Sequence, residues 1–239
     1  MIVTFISDTH NKHNQITEDL PGGDLLIHSG DISSMGYHHE LKAFYEWFDN
    51  IPNYTTKVFI AGNHDWGFLD ARRYIFHKEA HIPQRTQELI DSYPHIPYLQ
   101  DQPLQVQVQD QTVNLYGSPW QPEFFNWAFN LPRNGEGLRE KWANIPSDTD
   151  ILITHGPAYG YLDKVIGRTD NLGCELLADR IKEISPKIHV CGHIHSGYGY
   201  TYDGNTHYVN ASILDEGYNF TNRPLTINWN PATNDVEFL

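Results

Sequence analysis

The feature that most constrains this 239-residue chain is a recurrence of short apolar runs that stop abruptly at Asp, His, Asn or Gly. Residues 2–6 precede Asp8, 25–28 precede Gly30-Asp31, 58–61 precede Gly62-Asn63, and 151–154 end at His155. Runs of four or five apolar residues are short for helices and read as buried strands. Between them lie stretches at helical spacing: 38–50, with Leu41, Phe44, Tyr45 and Phe48 on one face, 70–81, and 173–183. Further strands are expected at 104–108, 113–116, 188–191, 198–202, 207–210 and 225–229, with turn residues such as Asp203-Gly204-Asn205 between them. This order predicts an α/β fold: two mixed β-sheets packed as a sandwich, flanked by helices, with polar residues of the strand ends converging on one edge.

Hydrophobic residues make up 39% of the chain and charged residues only 19%, which is ample material for one packed core, so a single domain over 1–239 is expected. The net charge of -14 offers no general attraction to long nucleic acids. The opening apolar run is too short for a signal-peptide core and no window approaches a membrane span of roughly 20 residues, so a cytoplasmic protein with no membrane partner is expected. Cys174 and Cys191 are the only cysteines and make no Cys-x-x-Cys pair, which argues against thiolate zinc and against a disulfide framework.

The chemistry-bearing residues sit directly behind the strands. Asp8-Thr9-His10 alone is weak, since an Asp after a strand also caps turns. Gly30-Asp31 and Gly62-Asn63-His64-Asp65 repeat the placement, and Thr154-His155-Gly156-Pro157 and Gly192-His193-Ile194-His195 complete it. Glycines beside the ligand-type residues permit tight turns and close backbone approach, and a His-x-His pair can give one imidazole to each of two neighbouring ions.

These five ordered motifs resemble the calcineurin-like metallophosphoesterase family over Asp8 to His195. Tyr116-Gly117-Ser118-Pro119-Trp120, Phe129-Asn130-Leu131-Pro132-Arg133 and Asn210-Ala211-Ser212 are similar to its metallophosphoesterase-domain-containing subgroup, which is linked to cyclic-nucleotide phosphodiesterases. Some members of that subgroup carry glycine where this chain has His193. The resemblance implies two divalent ions, one held by Asp8, His10 and His195, the other by Asn63, His155 and His193, with Asp31 bridging. Such an oxygen and imidazole set suits Mn²⁺, Fe or Zn²⁺ better than Ca²⁺, and Mn²⁺ is placed first. It further implies His64 as the catalytic group that stabilises the phosphoryl oxygen or protonates the leaving alkoxide, with Asp65 as its orienting partner, while the ions activate a water.

The expected function is therefore hydrolysis of a small phosphodiester, with a cyclic nucleotide as the implied substrate. Rival readings are a broad phosphomonoesterase, a nuclease and a non-catalytic scaffold; the missing basic stripe weighs against the nuclease and the complete histidine set against the scaffold. Among the other histidines, His28 is a candidate support for the ligand loops and His13 a candidate substrate contact, with packing the favoured reading of both. Arg133 and Arg168 are candidate phosphate contacts. The aromatic stretch 120–129 is read as ordinary packing, with a nucleobase wall as the alternative.

Overall fold

The computed structural model describes residues 1–69, 83–108 and 110–239. The helix expected over 70–81 lies outside them.

Apolar alternation explains the layers. In β1 (Ile2–Ile6) Val3 and Phe5 face one way, Ile6 the other, and β8 (Ile151–Thr154) alternates likewise, with Ile151 and Ile153 against Leu152. The first sheet has the order β13 (Asp235–Phe238), β12 (Leu225–Asn230), β1, β2 (Gly23–His28), β3 (Tyr54–Phe59). β1, β2 and β3 run parallel, and β12 and β13 are antiparallel additions. The second sheet has the order β10 (Gly199–Tyr202), β11 (His207–Asn210), β9 (Ile188–Cys191), β8, β5 (Gln111–Ser118), β4 (Gln102–Val108). Its inner four strands are parallel, with β4 and β10 antiparallel at the edges.

Val3, Phe5, Ile27 and Val58 of one sheet share a core with Val113, Ile153, Val190 and Val209 of the other, so the sheets pack face to face. Outside the first sheet Ile6, Leu26 and Phe59 meet Leu41, Phe44, Tyr45 and Phe48 of α1 (His38–Asn50) and Leu89 of α2 (Pro83–Ser92). Outside the second, Tyr116, Leu152 and Tyr208 meet α3 (Glu136–Ala143) and α4 (Glu175–Ile184). The expected sandwich with flanking helices is the observed fold.

β3 begins at Tyr54, ahead of the apolar run, because Thr55, Thr56 and Lys57 lie on the half-buried start of the strand and carry no apolar signal. α2 and α3 escape the sequence pattern because charged and polar residues interrupt their apolar period, and β13, Asp-Val-Glu-Phe, offers only two apolar residues. A two-stranded ribbon, β6 (Gln121–Pro122) with β7 (Asn130–Leu131), frames the aromatic stretch. Cys174 and Cys191 are buried free thiols. Among the described residues no helix is long and apolar enough to cross a membrane.

Candidate metal centre

Because β1, β2 and β3 run parallel in one sheet and β8 and β9 in the other, the loops after their carboxyl ends collect at one edge, where open α/β sheets place ligands. Asp8, His10, Asp31 and His193 all adopt left-handed backbone there, with φ of 54°, 41°, 53° and 67°. For side chains other than glycine this conformation costs roughly 1–3 kcal/mol each and persists only where the surroundings enforce it.

What enforces it is the seam between the sheets. Ser7 bridges Ser212, and Ser212 Oγ donates to Asp8 Oδ2 at 2.8 Å. The His193 amide donates to both Asp8 oxygens at 3.1 and 3.0 Å. Gly192 makes this possible, since a Cβ there would stand 2.1 Å from Asp8 Oδ2. Likewise a Cβ on Gly30, at φ +104°, would meet His155 Nδ1 at 2.5 Å. His28 joins two ligand loops of the first sheet: its Nε2 is 2.9 Å from Thr9 Oγ1 and its Nδ1 accepts from the Gly30 amide.

Among the described residues the ligand-type atoms form three interlocking groups, each with atoms within 4.8 Å of one another: Asp8, His10 and His195; Asp31, His155 and His193; and His10, Asp31 and His64. Asp31 stands between the first two, with Oδ2 at 3.7 Å from His10 Nε2 and 3.3 Å from His155 Nε2. Asn63 Oδ1 is 3.0 Å from His155 Nε2 and also accepts from Gln121 Nε2 at 3.3 Å. His155 Nδ1 donates to Ser29 O and His195 Nδ1 to Asp215 O, both at 2.9 Å, so each ring turns its Nε2 inward toward a carboxylate.

The residues fit a cation on this structure's own terms. Both ring nitrogens of His10 are buried with no hydrogen-bond partner among the described residues, a costly arrangement unless something else satisfies them. The electrostatics say the same. Burial would depress His155, yet the Asp31 carboxylate outweighs it and raises the ring to about 9. At His195 burial is again outweighed, here by the hydrogen bond and charge of Asp8, giving about 9. Burial would raise Asp8 and Asp31, but His195 and His155 respectively hold them well below the usual carboxylate range. His10 falls to about 4 and His193 to about 3, burial being the main cause at both. Two carboxylates thus draw positive charge into a buried space ringed by imidazoles.

His64 presents an edge of contact to His10, ring centroids 4.6 Å apart, and stacks on Trp127 at 4.1 Å. Its orientation corrects one expectation. The ring is held by Ser34, whose carbonyl accepts from Nδ1 at 2.7 Å, and not by Asp65. The buried Asp65 carboxylate instead accepts from the amides of Ile32, Ser33 and Gly62 and from Ser33 Oγ, clasping the second ligand loop to the third. The resemblance implied a pair; in the structure Asp65, just ahead of the 3-10 turn over Trp66–Phe68, turns into the loop backbone instead.

The remaining candidates separate cleanly. His13 is buried against Phe44 and Trp47. Arg133 donates to the carbonyls of Leu172 and Gly173 and to Glu175, and Arg168 pairs with Asp170. Trp120 and Phe129 pack edge to face, Trp127 reaches His64, and Phe124 and Phe125 are exposed, so the aromatic stretch is part packing and part site wall. Ser29, Ser34, Gln121 and Ser212 are supports that residue type alone does not reveal; only the Asn210-Ala211-Ser212 string hinted at the last.

Comparison with known proteins agrees with the geometry. The chain is 42% identical over 231 residues to human metallophosphoesterase domain-containing protein 1, covering 93% of this chain and 69% of that one. Its fold matches solved structures of phosphopantetheinyl hydrolase from Mycobacterium tuberculosis, at TM-score 0.56, 14% identity and 88% coverage of each chain. It also matches a purple acid phosphatase from yellow lupin seeds, at TM-score 0.53 and 13% identity, covering all of this chain and 52% of that one. The calcineurin-like phosphoesterase family model matches residues 1–197, which span every ligand loop, and the chain belongs to that family of metal-dependent phosphoester hydrolases.

Proposed function

We propose that the chain is a dinuclear phosphodiesterase acting on a small substrate, with a cyclic nucleotide as the substrate class. The observation that carries it is Asp31, set between two His-containing ligand-type groups beside a His10 ring whose nitrogens have no hydrogen-bond partner among the described residues. Asp8, His10 and His195 would hold one ion, Asn63, His155 and His193 the other, with Asp31 shared and Mn²⁺ the preferred metal. When bound, such ions supply Lewis acidity to phosphate oxygens and lower the pKa of a water.

The protein's own residues do the rest. Asp8 and Asp31 provide charge, and Ser29 and Asp215 fix the His155 and His195 tautomers so that Nε2 faces the site. His64 commits Nδ1 to Ser34, which leaves Nε2 to stabilise a phosphoryl oxygen or protonate the leaving alkoxide, while Trp127 holds the ring plane. Asp65 acts at one remove, through the loop it clasps.

Hydrolysis of bis-p-nitrophenyl phosphate and of p-nitrophenyl phosphate by Mn²⁺-loaded protein tests the reading. Faster turnover of the diester is expected. A clear preference for the monoester would replace it with a phosphomonoesterase, and no metal-stimulated turnover of either would favour a scaffold.

A further inference from the structure

Next to His193 a pocket of about 240 Å³ opens, bounded by apolar side chains that the metal centre does not use: Pro122, Phe124, Pro157, Val165, Leu172 and Ile194. It is continuous with the site. Phe124 lies edge-on to the His193 ring at 5.3 Å, and Gln121, which also lines the pocket, donates to Asn63 Oδ1. At this volume it falls below the roughly 300 Å³ at which drug-sized sites begin and has room for one ring system.

Its arginine cations are already spent, and its other charged side chains, Glu123 and Glu216, are carboxylates. Arg133 is engaged by Leu172, Gly173 and Glu175, and Arg168 by Asp170. Glu216 accepts from the amide and hydroxyl of Ser196. A second anionic group would therefore have to break an existing ion pair, whereas an uncharged group would not. Phe124 is 46% exposed, an aromatic surface beside a polar centre that a bound ring would cover.

We propose that this pocket receives one flat, uncharged aromatic substituent of the phosphoester held at the metal centre, with Phe124 as the stacking residue. The assignment rests on the phosphoesterase reading. It makes this chain selective for aryl or nucleobase-bearing phosphoesters over simple alkyl ones.

Phenylphosphonate and methylphosphonate each carry a single substituent on a non-hydrolysable anion, so the comparison does not depend on turnover. Titration calorimetry of both against the Mn²⁺-loaded full chain should show phenylphosphonate binding about tenfold tighter, the scale of one aromatic stack. Phe124→Ala removes the stacking face and Val165→Trp fills the pocket, and each should bring the affinity ratio close to one. Equal affinity in the native protein, or a ratio kept by both variants, overturns the pocket assignment alone. If neither phosphonate binds the loaded protein, the underlying phosphoesterase reading fails and takes the pocket with it.

Discussion

The two sheets contribute unequally to the metal centre. The loops of the first deliver both carboxylates and the carboxamide, Asp8, Asp31 and Asn63, together with His10 and His64; those of the second deliver only imidazoles, His155, His193 and His195. The first sheet thus brings the negative charge and the second the imidazole nitrogens that this charge attracts. Neither half is a site alone. Cross-sheet contacts such as Ser212 Oγ to Asp8, the His193 amide to Asp8 and His155 Nδ1 to Ser29 hold one half in register with the other.

Breaking the charged half should have the largest effect. Asp31→Ala removes the carboxylate that stands between His10 and His155, and a loss of activity of at least about 10³-fold with near-complete loss of metal by elemental analysis is expected. Retention of two ions per chain would remove Asp31 from the bridging position. His64→Ala separates chemistry from metal holding: turnover should fall by about 10²-fold, with metal content intact. A parallel loss of metal would make His64 a ligand, as its proximity to His10 and Asp31 permits.

The seam is tested by Gly192→Ala. A methyl group 2.1 Å from Asp8 Oδ2 and from Ser7 Oγ must push the sheets' loops apart, costing about 2–3 kcal/mol in urea unfolding and weakening metal uptake. Unchanged stability would mean that the loop yields more easily than this packing implies.

The smallest expected effect lies off the centre, at His13. Burial lowers this ring from 6.5 to about 4, so it must stay neutral in the folded protein while the unfolded chain takes up a proton. The associated stability is present above pH 6.5 and is lost as the pH falls toward 4. His13→Phe keeps the contacts with Phe44 and Trp47 and leaves no buried nitrogen to protonate. Urea unfolding should show the variant roughly 2 kcal/mol more resistant than wild type at pH 4.5, with little difference at pH 7. No change in the gap with pH would mean that His13 titrates normally.

Much of this was legible in the sequence because it is local. Strands β1, β8, β9 and β11 and helix α1 carry the apolar period that burial demands, and each ligand loop follows its strand directly. The roles of Ser34 and Asp65 were not legible. His64 and Asp65 are neighbours in the chain, but the acceptor of the His64 ring comes from the loop after β2, thirty residues away, and Asp65 turns back onto that same loop. Arg133 shows the same limit from the other side: its charge suggested phosphate, and its three acceptors on the segment before and into α4 had already claimed it.

By itself the sequence determined the layered α/β fold and which residues could carry metal chemistry, since hydrophobic periodicity and side-chain type are properties of the chain. The tertiary structure decided which of those residues stand together, which hydrogen bond fixes each ring, and that a pocket with an apolar wall opens beside His193. Those depend on where two separately encoded sheets meet, and that placement comes from long-range packing that no local pattern records.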